Sequence, residues 1–272
     1  MTMTTPQPRL LAPTPASARF LTFALAPSSS AAAAFAALAR MAPDADVVVG
    51  LGPPLLARVP PFPRDLTRFP ATQHALWLAL YHADSGAQLD KALGILRALG
   101  DAFLLVEEIQ AFTYRGGRDL SGFVDGTENP SGDAAHRAAL TSAGGSYALV
   151  QRWIHDLPTL ARMEPSARDH VIGRRFDDDE ELPDAPVHAH IKRTVQEDLG
   201  FVVRRSMPYG TVHEHGLYFV AYAQDTDRFV RMLARMAGKD DGVEDGLFAF
   251  TRAVTGGFYF CPPLVDGRID LR

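Results

Sequence analysis

The chain has 272 residues, of which 47% are hydrophobic and 22% charged, and a formal net charge of −5. That is enough for one large domain or two ordinary ones around a substantial core, and the acidic balance argues against nucleic acid as the main partner. One cysteine, Cys261 in the apolar run "GGFYFCPP", excludes an internal disulfide and a thiolate metal site, reads as a small buried hydrophobe and fits a reducing compartment.

The first residues, "MTMTTPQPRLLAPTPASARF", have no basic region followed by an apolar one. They are expected to form a flexible arm over residues 1–17, without a secretion signal. No apolar run is long enough to span a bilayer, so a cytoplasmic protein without membrane contact is expected. "ARFLTFALAP" predicts a strand, and "SSSAAAAFAALARMA" a helix with serines able to cap it. "DVVVGLG" predicts a β-branched strand. "PPLLARVPPFPRDLTRFP" is too rich in proline for a long regular element. "QHALWLALYHA" predicts a strand of ambiguous period, "SGAQLDKALGILRALG" a helix and "AFLLVEEIQAFTY" a strand. The first half thus runs β-α-β twice over.

The second half partly repeats this order. "GSYALVQRWIHDL" predicts a strand, and "TLARMEPSARDHVIGRRF" a helix interrupted at Pro165. "LGFVVRRSMPYG" and "HGLYFVAYAQ" predict strands, and "TDRFVRMLARMAG" a capped helix. Two β-α-β-type halves with antiparallel pairing predict an α+β fold of ferredoxin-like architecture. The boundary is placed in the small, polar stretch 130–146, giving halves 18–140 and 141–272.

Several residues could carry chemistry. "GFVDGTENP", Gly122–Pro130, joins turn dipeptides to an acid, Asp125, flanked by Phe and Val. It reads as a surface loop or as the wall of a pocket. His188 and His190 lie two apart, as do His213 and His215; either pair could hold a metal or simply be solvated. The acid run "FDDDEELPD" lacks the spacing and central glycine of a calcium loop and reads as a solvated loop. In "VVRRSMPYG" strand alternation sends Arg204 and Ser206 to one face and Arg205 to the other. A half-buried strand then turns one arginine inward, where it needs an anion or acceptors. These parts suit a flat apolar cofactor with carboxylate tails.

In order and spacing, "GFVDGTENP", "HAHIKRT", "RRSMPYG", "GLYFVAYAQDTDRF" and "DGLFAFTRAVTGGFYFCPP" resemble the dye-decolourising peroxidase family, in particular its shorter bacterial subgroup without a secretion signal. The resemblance covers roughly Leu21 to Pro263. It implies a fold of the dimeric α+β barrel type, a homo-oligomer (dimer or higher) and haem b (iron protoporphyrin IX) held by the C-terminal half. His190, rather than His188, matches the haem iron ligand, with Asp245 as the acid behind it. Asp125 and Arg204 match the catalytic acid and arginine, and Ser206 stands where other members have asparagine. Gly126 and Thr127 would press against the haem, and Arg193 would meet a propionate. The implied function is hydrogen peroxide-dependent oxidation of dyes, phenols or other bulky small-molecule electron donors through a ferryl intermediate. Tyr218, Tyr222 or Trp153, expected near the surface, could relay electrons. The alternative is a haem-handling protein for storage, delivery or iron release, with incidental peroxidase activity. A third reading is a binding domain that has lost haem.

Overall fold

A computed structural model describes residues 3–41 and 44–271. Of the elements expected above, residues 1 and 2 of the arm, Ala42 at the end of the first helix and the terminal Arg272 lie outside the described residues.

The strands alternate between two apolar faces, and this alternation builds the architecture. The N-terminal half contains β1 (Thr4–Thr5), β2 (Ser17–Leu25), α1 (Ala31–Ala39), β3 (Val47–Leu51), β4 (Leu76–Tyr81), α2 (Ser85–Leu99), β5 (Phe103–Phe112) and α3 (Gly132–Ala139). The C-terminal half contains β6 (Ser146–His155), α4 (Leu157–Arg162), α5 (Pro165–Ile172), α6 (His190–Arg193), α7 (Gln196–Leu199), β7 (Val203–Arg204), β8 (Met207–Gly210), β9 (His215–Ala223), α8 (Asp227–Met236), β10 (Thr251–Ala253), β11 (Gly257–Cys261), β12 (Leu264–Val265) and β13 (Arg268–Ile269). The β-α-β, β-α-β order expected for the first half is present from β2 to β5.

The strands run β6-β11-β3-β4-β2-β5-β8-β9, and β9 pairs back onto β6. The sheet is therefore a closed antiparallel barrel whose strands come from both halves. Closure removes the edges that two separate sheets would expose. The interior is filled by Phe20, Trp77, Tyr81, Tyr218, Tyr222 and Tyr259 with smaller residues. Phe20 stacks on Tyr218 at 4.2 Å, and Trp77 Nε1 donates to Tyr218 Oη at 3.1 Å. Outside the barrel, α1 and α2 cover one side through Leu38, Ala92 and Ile95, and α8 covers the other through Phe229, Leu233 and Met236. β4 is buried on both faces, which explains why its apolar run carried no clear period.

Three expectations are corrected. The arm expected to be flexible is tied down. Thr4 pairs with Val265, buried Gln7 exchanges hydrogen bonds with Val49 and donates to the carbonyl of Pro262, and Leu10 is fully buried. Within the stretch 130–146, α3 packs Ala135, Ala138 and Ala139 into the core. The single strand expected over "LGFVVRRSMPYG" is two, β7 and β8, separated at Arg205 and Ser206. Tyr218, Tyr222 and Trp153 are buried rather than near the surface. The proline-rich segment forms no helix or strand, yet it buries Val59, Phe62, Leu66 and Phe69.

Arg205 answers the question of the inward arginine. Its guanidinium donates to the carbonyls of Leu11, Ala12 and Arg204 at 2.6, 2.8 and 2.9 Å. Backbone acceptors meet its needs, and no anion is required.

Candidate active site

On the outer face of the C-terminal half, β6 and β9 are covered by α5, α6 and α8 and by the loop 114–131. A cleft of about 1210 Å³, counted to its open mouth, lies between them. Alternation on β6 places Gln151, Trp153 and His155 on this face, while Ala148 and Val150 point into the barrel. Leu217, Phe219, Met232, Leu247 and Phe250 make the walls apolar.

His190 begins α6 and lines the cleft. Its Nδ1 donates to Asp245 Oδ2 at 2.8 Å. The other oxygen of Asp245 accepts the backbone N–H of Leu247 at 2.9 Å, which caps the turn Gly246–Ala249. The Asp245 side chain is fully buried, so the tautomer is fixed and Nε2 is left free of protein partners. His188 is exposed and absent from the cleft; its carbonyl accepts the N–H of Gly246. Of the two, His190 is the one that lines the cleft. His213 is exposed before β9, half-buried His215 begins that strand, and neither lines the cleft; no cluster of three or more metal-ligating side chains occurs among the described residues.

The Asp125 loop is wound tightly. Gly122 and Gly126 have φ of +92° and +77°, conformations that favour glycine. A Cβ on Gly126 would come within 2.8 Å of Asn129 Nδ2. Asn129 needs that space, since it accepts from Arg204 N at 2.7 Å and donates to Arg204 O at 3.1 Å. The asparagine of "GTENP" thus clamps the backbone of Arg204 beside Asp125. Gly126 and Thr127 both line the cleft, and the Thr127 hydroxyl donates to Asp179 at 2.8 Å.

Arg204 lines this cleft and also a second one of about 1180 Å³, counted the same way, where Ser206 and Arg205 lie. Its Nε is buried without a hydrogen-bond partner. Asp125 and Arg204 border both spaces. Asp125 is partly exposed to the clefts yet surrounded by protein. This enclosure pushes its carboxyl above the usual 3.8, and Asp119 adds to the rise while Arg204 and His190 oppose it.

A raised carboxyl binds its proton more tightly in the folded than in the unfolded chain. The stability it contributes is full below the unfolded value and is lost as pH rises through the folded one. Asp125→Asn is therefore expected to raise the melting temperature of the cofactor-free protein at neutral pH. The gain should be ~2–4 °C for each kcal/mol recovered, and the gap should close as pH falls to ~4. Thermal scans across that range check it; a variant that melts below wild type at neutral pH excludes the argument.

Arg193 departs from expectation. It lies outside the cleft lining, with its guanidinium on Asp241 at 2.7 and 2.8 Å and on the carbonyl of Arg235 at 2.6 and 3.2 Å. Besides Arg204, the cleft is lined by Arg174, which donates to Glu128 at 2.7 Å and to the carbonyl of Asp179 at 2.9 Å. Sequence reasoning missed it because it lies beside an acidic run that reads as solvated surface. That run packs against the Asp125 loop: Asp179 accepts from Thr127, and Phe176 lies edge-on against Phe123 at 5.3 Å. Asp119 and His155 were also missed. The strand alternation of β6 was the available signal for His155.

An eight-stranded α+β barrel with a buried Asp–His pair, an acid and an arginine around one apolar cleft defines a cofactor-binding class of protein. Residues 116–266 match the family model described as Dyp-type peroxidase, C-terminal. The chain belongs to the Dyp-type peroxidase family. It is 37% identical over 185 residues to the dye-decolorizing peroxidase of Mycobacterium tuberculosis, covering 62% of this chain and 55% of that protein. With that of Mycolicibacterium paratuberculosis it shares 34% identity over 227 residues, or 74% and 64% of the two chains. The matches thus span between about half and two thirds of these curated relatives. Among solved structures, a variant of Rhodococcus jostii RHA1 DypB in complex with heme is 29% identical, with a TM-score of 0.84 over 95% of this chain and 96% of that one.

Proposed function

We propose that the chain is a haem b peroxidase that reduces hydrogen peroxide to water while oxidising a dye, a phenol or another bulky small-molecule donor. The observation that carries this reading is the meeting of His190, Asp125 and Arg204 at one apolar cleft. The cleft suits haem on its own chemistry. His190 Nε2 is the free nitrogen of an imidazole already oriented by Asp245. Gln151 Nε2 and Arg204 Nε are buried donors without partners. Arg174 replaces Arg193 as the cation for a carboxylate tail.

When bound, haem would supply a redox-active iron that accepts the oxidising equivalents of peroxide and passes them to the donor. His190 would hold the iron, and Asp245 would keep its imidazole electron-rich. Asp125, as carboxylate, would take the proton from one peroxide oxygen and return it to the other. Arg204 would balance the negative charge on the departing oxygen. Ser206, in the adjoining cleft, accepts the N–H of Val220 at 3.4 Å and would orient peroxide or water through its hydroxyl. Gly126 and Thr127 would bring the loop backbone against the cofactor. Two protons and two donor electrons complete the conversion of one peroxide to two waters.

The raised carboxyl of Asp125 sets the sign of the pH dependence. The carboxylate form is lost as pH falls through that raised value, so peroxide consumption drops on this acid limb. A storage or delivery protein would have no need of the Asp125–Arg204 pair, and the peroxidase reading is favoured over haem handling. We further place the protein in the cytoplasm as a homo-oligomer acting on small molecules, without nucleic acid or membrane. Among the described residues no helix is long and apolar enough to cross a membrane.

Titration of the purified protein with haem, followed by peroxide and a dye, tests the proposal. Stoichiometric binding, a peroxide-induced spectral change and dye bleaching support it. Stoichiometric binding without bleaching would return the haem-handling reading.

A further inference from the structure

A second ionisable pair borders the same cleft and takes no part in the steps above. His155 ends β6, and Asp119 lies on the loop leading to Asp125. His155 Nε2 is 3.0 Å from Asp119 Oδ1, and Nδ1 is 2.6 Å from Thr251 Oγ1. The Thr251 hydroxyl also lies 3.0 Å from the carbonyl of Ile154. Nε2 faces a carboxylate oxygen, so a proton lies between them.

Asp119 also organises the backbone that carries Asp125. Its Oδ2 accepts the N–H of Ser121 at 2.8 Å, its N–H donates to the carbonyl of Phe123 at 2.9 Å, and its carbonyl accepts the N–H of Gly122 at 2.9 Å. Arg118 Nη1 donates to the carbonyl of Gly122 at 2.7 Å, and the N–H of Asp125 to that of Gly117 at 3.2 Å. The loop is wound around Asp119, and Asp119 is anchored to β6 and β10 through His155 and Thr251.

We infer that Asp119 and His155 form a positioning pair for Asp125: His155 fixes the loop to the barrel wall and neutralises Asp119, so that Asp125 does not stand beside an unbalanced second carboxylate. The electrostatics agree. Burial pushes the carboxyl of Asp119 up, but the charge and hydrogen bond of His155 and the bonds from Ser121 outweigh it and hold it below 3.8. The groups acting on Asp125 are Arg204 from β7, His190 from α6 and Asp119 from its own loop. Glu128 and Arg174 border the cleft as an ion pair. Against His155 stand Thr251 and the ring of Phe250, at 5.8 Å.

The inference rests on Asp125 as the acid–base group of the proposed reaction, and the test separates the two. His155→Gln removes the positive charge and leaves Asp119 unbalanced. The acid limb of the peroxide rate in the haem-loaded protein is expected to move up by ~1 pH unit. Asp119→Asn removes the carboxylate together with the second proton of His155, so the site stays neutral and the limb is expected to stay close to wild type. General damage to the loop would not move one limb and spare the other. No shift in His155→Gln, or an equal upward shift in both variants, overturns the pair. The second readout needs neither cofactor nor turnover. In haem-free protein labelled with ¹⁵N-histidine, both ring nitrogens of His155 are expected to resonate as protonated at neutral pH, and one of them to lose its proton in Asp119→Asn. An unprotonated Nε2 in the wild type overturns the inference even if neither variant folds.

Discussion

Replacing Arg204 by leucine is expected to slow the reaction with peroxide by ~10²–10³-fold while leaving haem binding in place. The argument rests on how the two adjacent arginines are used. Arg205 is satisfied by three backbone carbonyls, whereas Arg204 keeps a buried Nε without a partner and borders both clefts beside Asp125. Its backbone is held by Asn129, so truncating the side chain leaves the strand anchored. Leucine keeps the apolar volume but removes the only charge on β7 that opposes the rise in Asp125's carboxyl. Two effects then add. Negative charge on the departing oxygen loses its counter-charge, and Asp125 holds its proton to higher pH, moving the acid limb upward. Stopped-flow mixing of haem-loaded protein with peroxide measures both. A rate within threefold of wild type, with the limb unmoved, would remove Arg204 from the proposed mechanism.

Replacing His190 by alanine is expected to cost more still, at the level of the cofactor. Haem should bind weakly, its absorption band should shift, and added imidazole should restore part of both. Asp245→Asn is the graded companion. The hydrogen bond at 2.8 Å is kept in length but not in charge, and a loss of ~10–100-fold in affinity is expected. Visible titrations of the three proteins, side by side, decide the matter. An unchanged band and affinity in His190→Ala would move the ligand elsewhere. His188 would then be the nearest imidazole in sequence, although it is exposed and outside the cleft.

The elements were legible in the sequence because their signals are local. Alternation marked β6 and β9, an alanine run marked α1, and Pro165 marked the break between α4 and α5. The structure brings Asp125, Gly126, Thr127, His190 and Arg204 to one cleft, with Asp245 bonded to His190 from behind. What escaped was long-range. Nothing in the pattern of "MTMTTPQPRLLAP" says that Gln7 will find Val49 and Pro262. Arg193 stands three residues from His190, yet it turns to Asp241 and Arg235. Arg174, beside a run of acids, reads as surface in the sequence, and only the packing of that run on the Asp125 loop shows otherwise. The Asp119–His155 contact joins residues 36 positions apart, and only the barrel brings them together.

The barrel's closure bears on how the cleft is braced. Among the described residues, the registered pairs across the barrel's two seams are Leu51 with Phe260 and Ala111 with Tyr209. The halves are joined as well by the pairing of Thr4 with Val265, by Gln7 on Pro262 and by Asn129 on the backbone of Arg204. In the filling, Phe20 and Trp77 from one half meet Tyr218 from the other. The frame behind the cleft is thus cross-braced from within and from outside, while the loop around Asp125, on the cleft's border, belongs to neither strand nor helix.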